Sequence, residues 1–190
     1  VLLRIIIVIC LVLSVFYFMR VSVGRLSSEK YGLMEYISMY AGGSIKLLDM
    51  YIQQPAVHNS IPGFETFYGL ISNLNALGIV DFGTLPVTRL EFRYVGFVNI
   101  GNVYTAYRRW IADFGFTGMI LLQALLSLIY HIGYFKLRQS LRPQFSFGLL
   151  IYLYIVPMLM MHSIDSTFYR EVFSISFFFT LFLLYCLFSF

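Results

Sequence analysis

Residues 114–135 read FGFTGMILLQALLSLIYHIGYF, a run free of Asp, Glu, Lys and Arg that lies between Asp113 and Lys136. Its length matches the ~20 residues a helix needs to cross the hydrocarbon core, and it lacks the period-2 alternation of a strand. Backbone N–H and C=O groups find no partner in lipid, so such a run crosses as a helix that closes its own hydrogen bonds. Three further runs repeat the pattern: 5–19, extendable past Arg20 to Gly24; 143–164, with a kink expected at Pro157; and 172–190. The expected fold class is an all-α integral membrane protein with about four transmembrane helices and one large external loop containing short amphipathic helices. Its parts are a first transmembrane helix at 1–24, the loop at 25–113 and a three-helix transmembrane bundle at 114–190.

Composition points the same way. The chain of 190 residues is 59% hydrophobic and 12% charged, with 20 Phe, 15 Tyr and a mean hydropathy of +0.81. Soluble domains carry roughly 25% charged residues, and one of this size leaves much of its surface in water. Lipid is the solvent this composition fits. Dense aromatics, aperiodic glycines and only two cysteines exclude a disordered chain, a collagen-like repeat or a disulfide scaffold. Cys10 and Cys186 sit in apolar runs and read as small buried hydrophobes. The net charge of +4 comes from scattered basic residues, which excludes a nucleic-acid footprint. Tyr17, Phe18, Met19 and Arg20 are the wrong types for a signal-peptide cleavage site. The opening Val1 in place of Met, and Arg4 followed at once by an apolar run, lead to the expectation that the chain is the C-terminal part of something longer.

Orientation follows from the connection between the second and third spans, where Lys136, Arg138 and Arg142 stand with no acid. Cytoplasmic loops carry such an excess, so this one is inside and 25–113 and 165–171 are outside. In the long loop, Ser27 or Ser28 before Glu29 reads as a helix N-cap, with Leu33, Tyr36, Ile37 and Tyr40 spaced for one face. A break is expected at Ala41, Gly42, Gly43 and Ser44, then a helix at 45–52 ending before Gln53, Gln54 and Pro55. A third helix is expected at 64–77, stopped by Gly78, with Phe67, Leu70, Ile71 and Leu74 on one face. Such helices would lie in the membrane interface or roof a cavity between spans.

The residues 101–118, GNVYTAYRRWIADFGFTG, bring polar groups to the external end of the second span. If 104–112 is helical, Tyr104 shares a face with Arg108, and Thr105 with Arg109 and Asp113. A guanidinium stays ionised and binds phosphate oxygens bidentately, so Arg108 and Arg109 suit the grip of a lipid-linked phosphate. They would serve equally as interfacial anchors beside Tyr107 and Trp110. Asn102 and Tyr104 read as donors to sugar or phosphate, or as a turn residue and a belt aromatic.

Asn102, Val103, Tyr104, Thr105, Arg108, Asp113, Phe114 and Gly115 follow, in order and spacing, a signature of the bacterial oligosaccharide repeat unit polymerases. The stretch resembles that Wzy-type O-antigen polymerase family. YAGGSIKLLDMYI at 40–52 and FETFYGLISNLNALGI at 64–79 are similar to the same family, as is one long external loop followed by three closing helices. The chain departs from the pattern at Arg109, where the family often has proline, and at Trp110-Ile111, where it has paired aromatics. The family's N-terminal spans are absent, and its Arg-x10-Gly pattern has no match.

The resemblance implies glycosyl transfer on the outer face of the bacterial inner membrane, polymerising undecaprenyl-diphosphate-linked oligosaccharides into O-antigen or a related surface polysaccharide. Arg108 would hold the leaving diphosphate, with Arg109 and Arg170 behind it. Arg170 would otherwise be a loop arginine paired with a carboxylate. Base candidates are Asp113, Asp165, Glu171, His58 and His162. Asp113 is the best placed of them, and it reads as well as an ion-pair partner or an N-cap. Catalytic candidates are thus Arg108, Asp113 and Arg170, and substrate-binding candidates Asn102, Tyr104, Thr105 and Arg109. The implied partners are the lipid-linked oligosaccharide, the bilayer, a chain-length regulator and a flippase. No cofactor is called for, and three distant histidines without a cysteine pair give no metal site. An O-antigen ligase, which places a histidine base in its large loop, would have to use His58. A transporter would place its ionisable groups at mid-membrane and have short loops, whereas the last three expected spans hold no charged residue and the polar groups gather in the long external loop.

Overall fold

The computed structural model describes residues 14–15, 33–55, 61–86, 88–139 and 146–189. They are mostly helical. The chain divides into two compact units, Val1–Gly42 and Gly43–Phe190. The expected first span other than residues 14–15, the Ser27 and Ser28 caps, His58, Cys10 and Arg142 lie outside the described residues.

Helix α1, Leu33–Gln53, runs through the expected break at 41–44. A helical glycine costs about 1 kcal/mol relative to alanine, and the second half of α1 offsets this by burying Leu47 and Tyr51 against Tyr104. The helix stops at Gln53, one residue beyond the expectation, with the Gln54 N–H making the last bond to the Met50 carbonyl before Pro55. Helix α2, Tyr68–Ala76, starts four residues later than expected because 61–67 fold as turns, and it ends at Gly78 as expected. Phe67 leads into it and packs against Phe114, Tyr169 and Phe173, while Ile71 is buried.

An antiparallel hairpin corrects the all-α expectation: β1 at Arg93–Val95 pairs with β2 at Val98–Gly101, joined by Gly96 and Phe97. Gly96 at φ 58, followed by a residue of negative φ, fits the two-residue turn whose twist suits a hairpin. The β-rich string Tyr94, Val95, Phe97 and Val98 around that glycine carried the signal.

Helix α3, Ala106–Gln139, contains the expected second span and is, among the described residues, the one helix long and apolar enough to cross a membrane. Its Phe116, Ile120, Leu121, Leu125, Leu128 and Ile132 are exposed, as lipid-facing residues would be. It bends at Gly115, where φ 65 and ψ −171 fall in a region open essentially to glycine alone. His131, expected toward the bundle, is exposed, its ring tilted against that of Phe135 at 4.4 Å.

Helix α4, Phe147–Met160, is capped by Ser146, contains Pro157 and continues as a 3-10 turn at Met161–Ser163. Helix α5 is Thr167–Glu171 and α6 is Ile175–Ser189. The apolar stretches 147–163 and 175–187 are both shorter than the expected spans. Trp110, Leu126, Tyr130, Phe168 and Tyr169 form the core between α3, α4 and α5. There the Tyr169 hydroxyl donates to the Leu122 carbonyl at 2.6 Å. This core fixes α5, and with it Arg170, beside the first turn of α3.

Candidate functional site

The first turns of α3 carry Arg108 and Arg109 inward, 3% and 4% exposed. A guanidinium cannot shed its charge, so burial of two of them requires anions close by. Glu65 supplies the first. Its Oε2 accepts from Arg108 Nη1 and lies 3.7 Å from Arg109 Nη1, so consecutive arginines converge on one oxygen. Glu91 takes the other side of Arg108, with Oε2 2.9 Å from Nη2, while its Oε1 accepts from Arg93 Nη2 at 3.2 Å and the Tyr104 hydroxyl at 3.0 Å. Asp165 faces Arg109 as a fork, 2.5 Å from Nε and 3.2 Å from Nη2, and accepts from Arg170 Nη1 at 2.9 Å. The series therefore reads Arg93, Glu91, Arg108, Glu65, Arg109, Asp165, Arg170.

Four guanidinium groups share three carboxylates as their ion-pair partners. Arg108 Nε, Arg109 Nη1 and Arg170 Nε are buried without a hydrogen-bond partner among the described residues, as are the hydroxyls of Thr66 and Thr105. Aromatic faces hold the cations in place: Arg108 lies 4.5 Å from the Tyr51 ring and 5.7 Å from that of Tyr104, and Arg170 5.5 Å from Tyr68.

Asp113 does something else. Its Oδ2 accepts the Thr66 N–H at 2.6 Å, and its Oδ1 the Glu65 N–H at 3.4 Å, so it caps the turn that carries Glu65. Among the described residues it makes no ion pair, unlike Glu65, Glu91 and Asp165. Its expected alternative, capping the second span, does not arise because α3 is already helical from Ala106.

Of the other sequence candidates, Tyr104 is fully buried, accepts from Arg93 Nε and donates to Glu91. Asn102 holds the Leu90 carbonyl at 3.4 Å, a loop contact. Thr105 is buried one turn before Arg108 and Arg109. His162 Nδ1 lies 3.3 Å from the Met158 carbonyl, to which it donates, and its ring packs edge-on against Trp110, whose N–H donates to Ser166 Oγ.

The sequence reading missed Glu65, Glu91 and Arg93. A signal was present: with nine acids in the chain, two arginines at the head of an apolar helix could be buried only by drawing on that small set.

Charge sets the protonation states. Burial works against ionisation of Asp165, but hydrogen bonds from Arg109, the charges of Arg109 and Arg170 and the Ser166 N–H outweigh it and hold the carboxyl below its ordinary range. Glu91 is held low likewise, burial being outweighed by a backbone N–H, Arg108, Tyr104 and Arg93. Burial and the Glu91 carboxylate push the Tyr104 phenol up to about 12, so it remains a donor. A carboxylate held low is a weaker proton acceptor, and Asp165 is engaged by Arg109 and Arg170. Asp165 and Glu91 also stabilise the fold above the ordinary carboxylate range, and that stabilisation is lost as pH falls through their lowered folded-state values. Thermal unfolding of the protein in lipid nanodiscs should thus be flat from pH 7 to about pH 5 and fall steeply below about pH 4. A melting temperature unchanged at pH 3 would contradict it.

Compared with known proteins, the chain matches no family, no curated protein and no solved structure.

Proposed function

We propose that the chain is an integral-membrane glycosyltransferase of the oligosaccharide repeat unit polymerase type. It would join undecaprenyl-diphosphate-linked repeat units into O-antigen or a related surface polysaccharide. In this reading its spans lie in the bacterial inner membrane, the short apolar helices α4 and α6 cross with α3, and the large loop faces the periplasm. The observation that carries the reading is the buried arginine series at the head of α3, in which Arg108 Nε, Arg109 Nη1 and Arg170 Nε have no hydrogen-bond partner among the described residues.

Such donors, held in a dry site, stabilise charge that develops on a departing diphosphate. The acceptor hydroxyl forms the new glycosidic C–O bond as the anomeric carbon–phosphate oxygen bond breaks, and its proton passes to a base. Asp113 is the carboxylate of the site that no arginine holds. Arg170 belongs to the series through Asp165. Beside α5, an apolar cavity of about 260 Å³ between Leu125, Ile129, Ile155, Phe168 and Phe177 suits a polyprenyl chain.

The test is the surface-polysaccharide ladder of a strain lacking its own copy of the gene, complemented with wild type, Arg108→Ala or Arg108→Lys at matched membrane abundance. Arg108→Ala should reduce polymer by about 100-fold or more, the range for losing one charge-stabilising donor, while single repeat units still reach the surface. Arg108→Lys should restore only part. A full ladder from Arg108→Ala would overturn the diphosphate role. Failure of the wild-type gene to restore polymer would favour a ligase or flippase instead.

A further inference from the structure

The acids flanking Arg108 and Arg109 are more exposed than those two arginines are. Arg108 and Arg109 side chains are 4% exposed and Glu65 10%, whereas Glu91 is 29% exposed and Asp165 26%. An anion approaching from solvent meets these two carboxylates first and is repelled by both.

They differ in how firmly they are held. Asp165 is bound by the Arg109 fork, by Arg170 and by the Ser166 N–H, within the tight turn before α5. Glu91 stands just before β1, in a stretch without helix or strand. Its departure would leave its neighbours anchored. Arg93 keeps the Met50 and Gln54 carbonyls at 2.8 and 2.6 Å and the Tyr104 hydroxyl at 2.9 Å. Arg108 keeps Glu65 and the Tyr51 face. What opens is a seat with three fixed donors: Arg93 Nη2, Arg108 Nη2 and the Tyr104 hydroxyl. The two Glu91 oxygens, one on Arg108 and the other on Arg93 and Tyr104, stand where two oxygens of a phosphate would sit.

We propose that Arg93, Tyr104 and Arg108 form the phosphate-binding seat, and that Glu91 fills it as an internal substitute which a diphosphate must displace. The inference rests on the anion-handling reading above and adds Arg93 and Glu91 to it. A diphosphate brings at least two negative charges against Glu91's one, so it wins the exchange, while a singly charged anion does not. The exchange keeps the buried arginines neutralised when no substrate is present.

The experiment measures inorganic pyrophosphate binding by calorimetry to the full chain in nanodiscs. Glu91→Gln keeps the side-chain size and removes the competing charge, so it should bind at least about tenfold tighter than wild type. Glu91→Asp, one methylene shorter, should show a smaller gain in the same direction and covers the case in which the Gln variant does not fold. Adding Arg93→Gln to either variant should abolish the gain. If wild type binds and both Glu91 variants bind equally or more weakly, Glu91 is a scaffold for Arg108 and the seat is elsewhere. If neither wild type nor the variants bind, the anion site itself is overturned, and the seat with it.

Discussion

Gly69→Ala is expected to lower the melting temperature of the protein by several degrees and to carry activity down with it. An alanine Cβ there would lie 2.1 Å from the Arg170 carbonyl oxygen and 3.0 Å from Ser174 Cβ. The obstacle is backbone, so no rotamer change relieves it; α5 or α2 has to move. Overpacking of this kind costs about 1–3 kcal/mol or more, which at this chain length is roughly 3–10 °C. The movement also pulls Arg170 away from Asp165. Gly42→Ala supplies the contrast: that helical position has open space around it, so the same substitution should be neutral or slightly stabilising. Equal melting temperatures for the two variants would contradict the close approach of α2 to α5.

Asp165→Asn should be as severe, for an electrostatic reason. The carboxylate is the shared anion of Arg109 and Arg170, and its loss leaves two partly buried cations facing each other. Breaking a buried ion pair by removing one partner costs about 3–5 kcal/mol. With Asp165 about a quarter exposed, the lower end applies, roughly 3 kcal/mol. Two readouts separate this from general damage. Arg170→Gln added to Asp165→Asn should recover part of the loss, since it removes one of the stranded charges, so the double change is less harmful than the sum. The variant should also show a shallower fall in stability below pH 4 than wild type, because one of the groups responsible is gone. Additive losses, or an unchanged acid profile, would argue against the shared-anion role.

What could be read from residue order was what depends on near neighbours. Residues 114–135 declared a long apolar helix through the absence of charge, and Gly78 marked the end of α2; Tyr104 and Arg108 do meet at Tyr51, but Tyr104 lies before α3 begins at Ala106, so helical spacing is not what brings them together. Composition-based reading failed where distant partners decided. Gly42 and Gly43 look like a breaker until Leu47 and Tyr51 are seen to be buried against Tyr104 from the far side of the loop. The hairpin went unread because a short strand pair is stabilised by what its inward residues touch, here Arg93 against the end of α1. The arginines of the site were legible by type and position at the head of an apolar run. Glu65 and Glu91 were not, because nothing local distinguishes a carboxylate that will be buried from one that will be solvated.

The bend at Gly115 has a mechanical consequence. It divides α3 into a short headpiece, fixed through Trp110 and the arginines to the surrounding loops, and a long apolar rod. Bilayers differ in thickness, and a rod longer than the hydrocarbon layer accommodates by tilting. In a straight helix that tilt would swing the arginines through an arc and separate them from the acids that face them. With a single glycine between the two parts, the lower segment can lean while the charge spacing above it stays as it is, so in the proposed membrane setting the arginine series would be insulated from the thickness of the bilayer beneath.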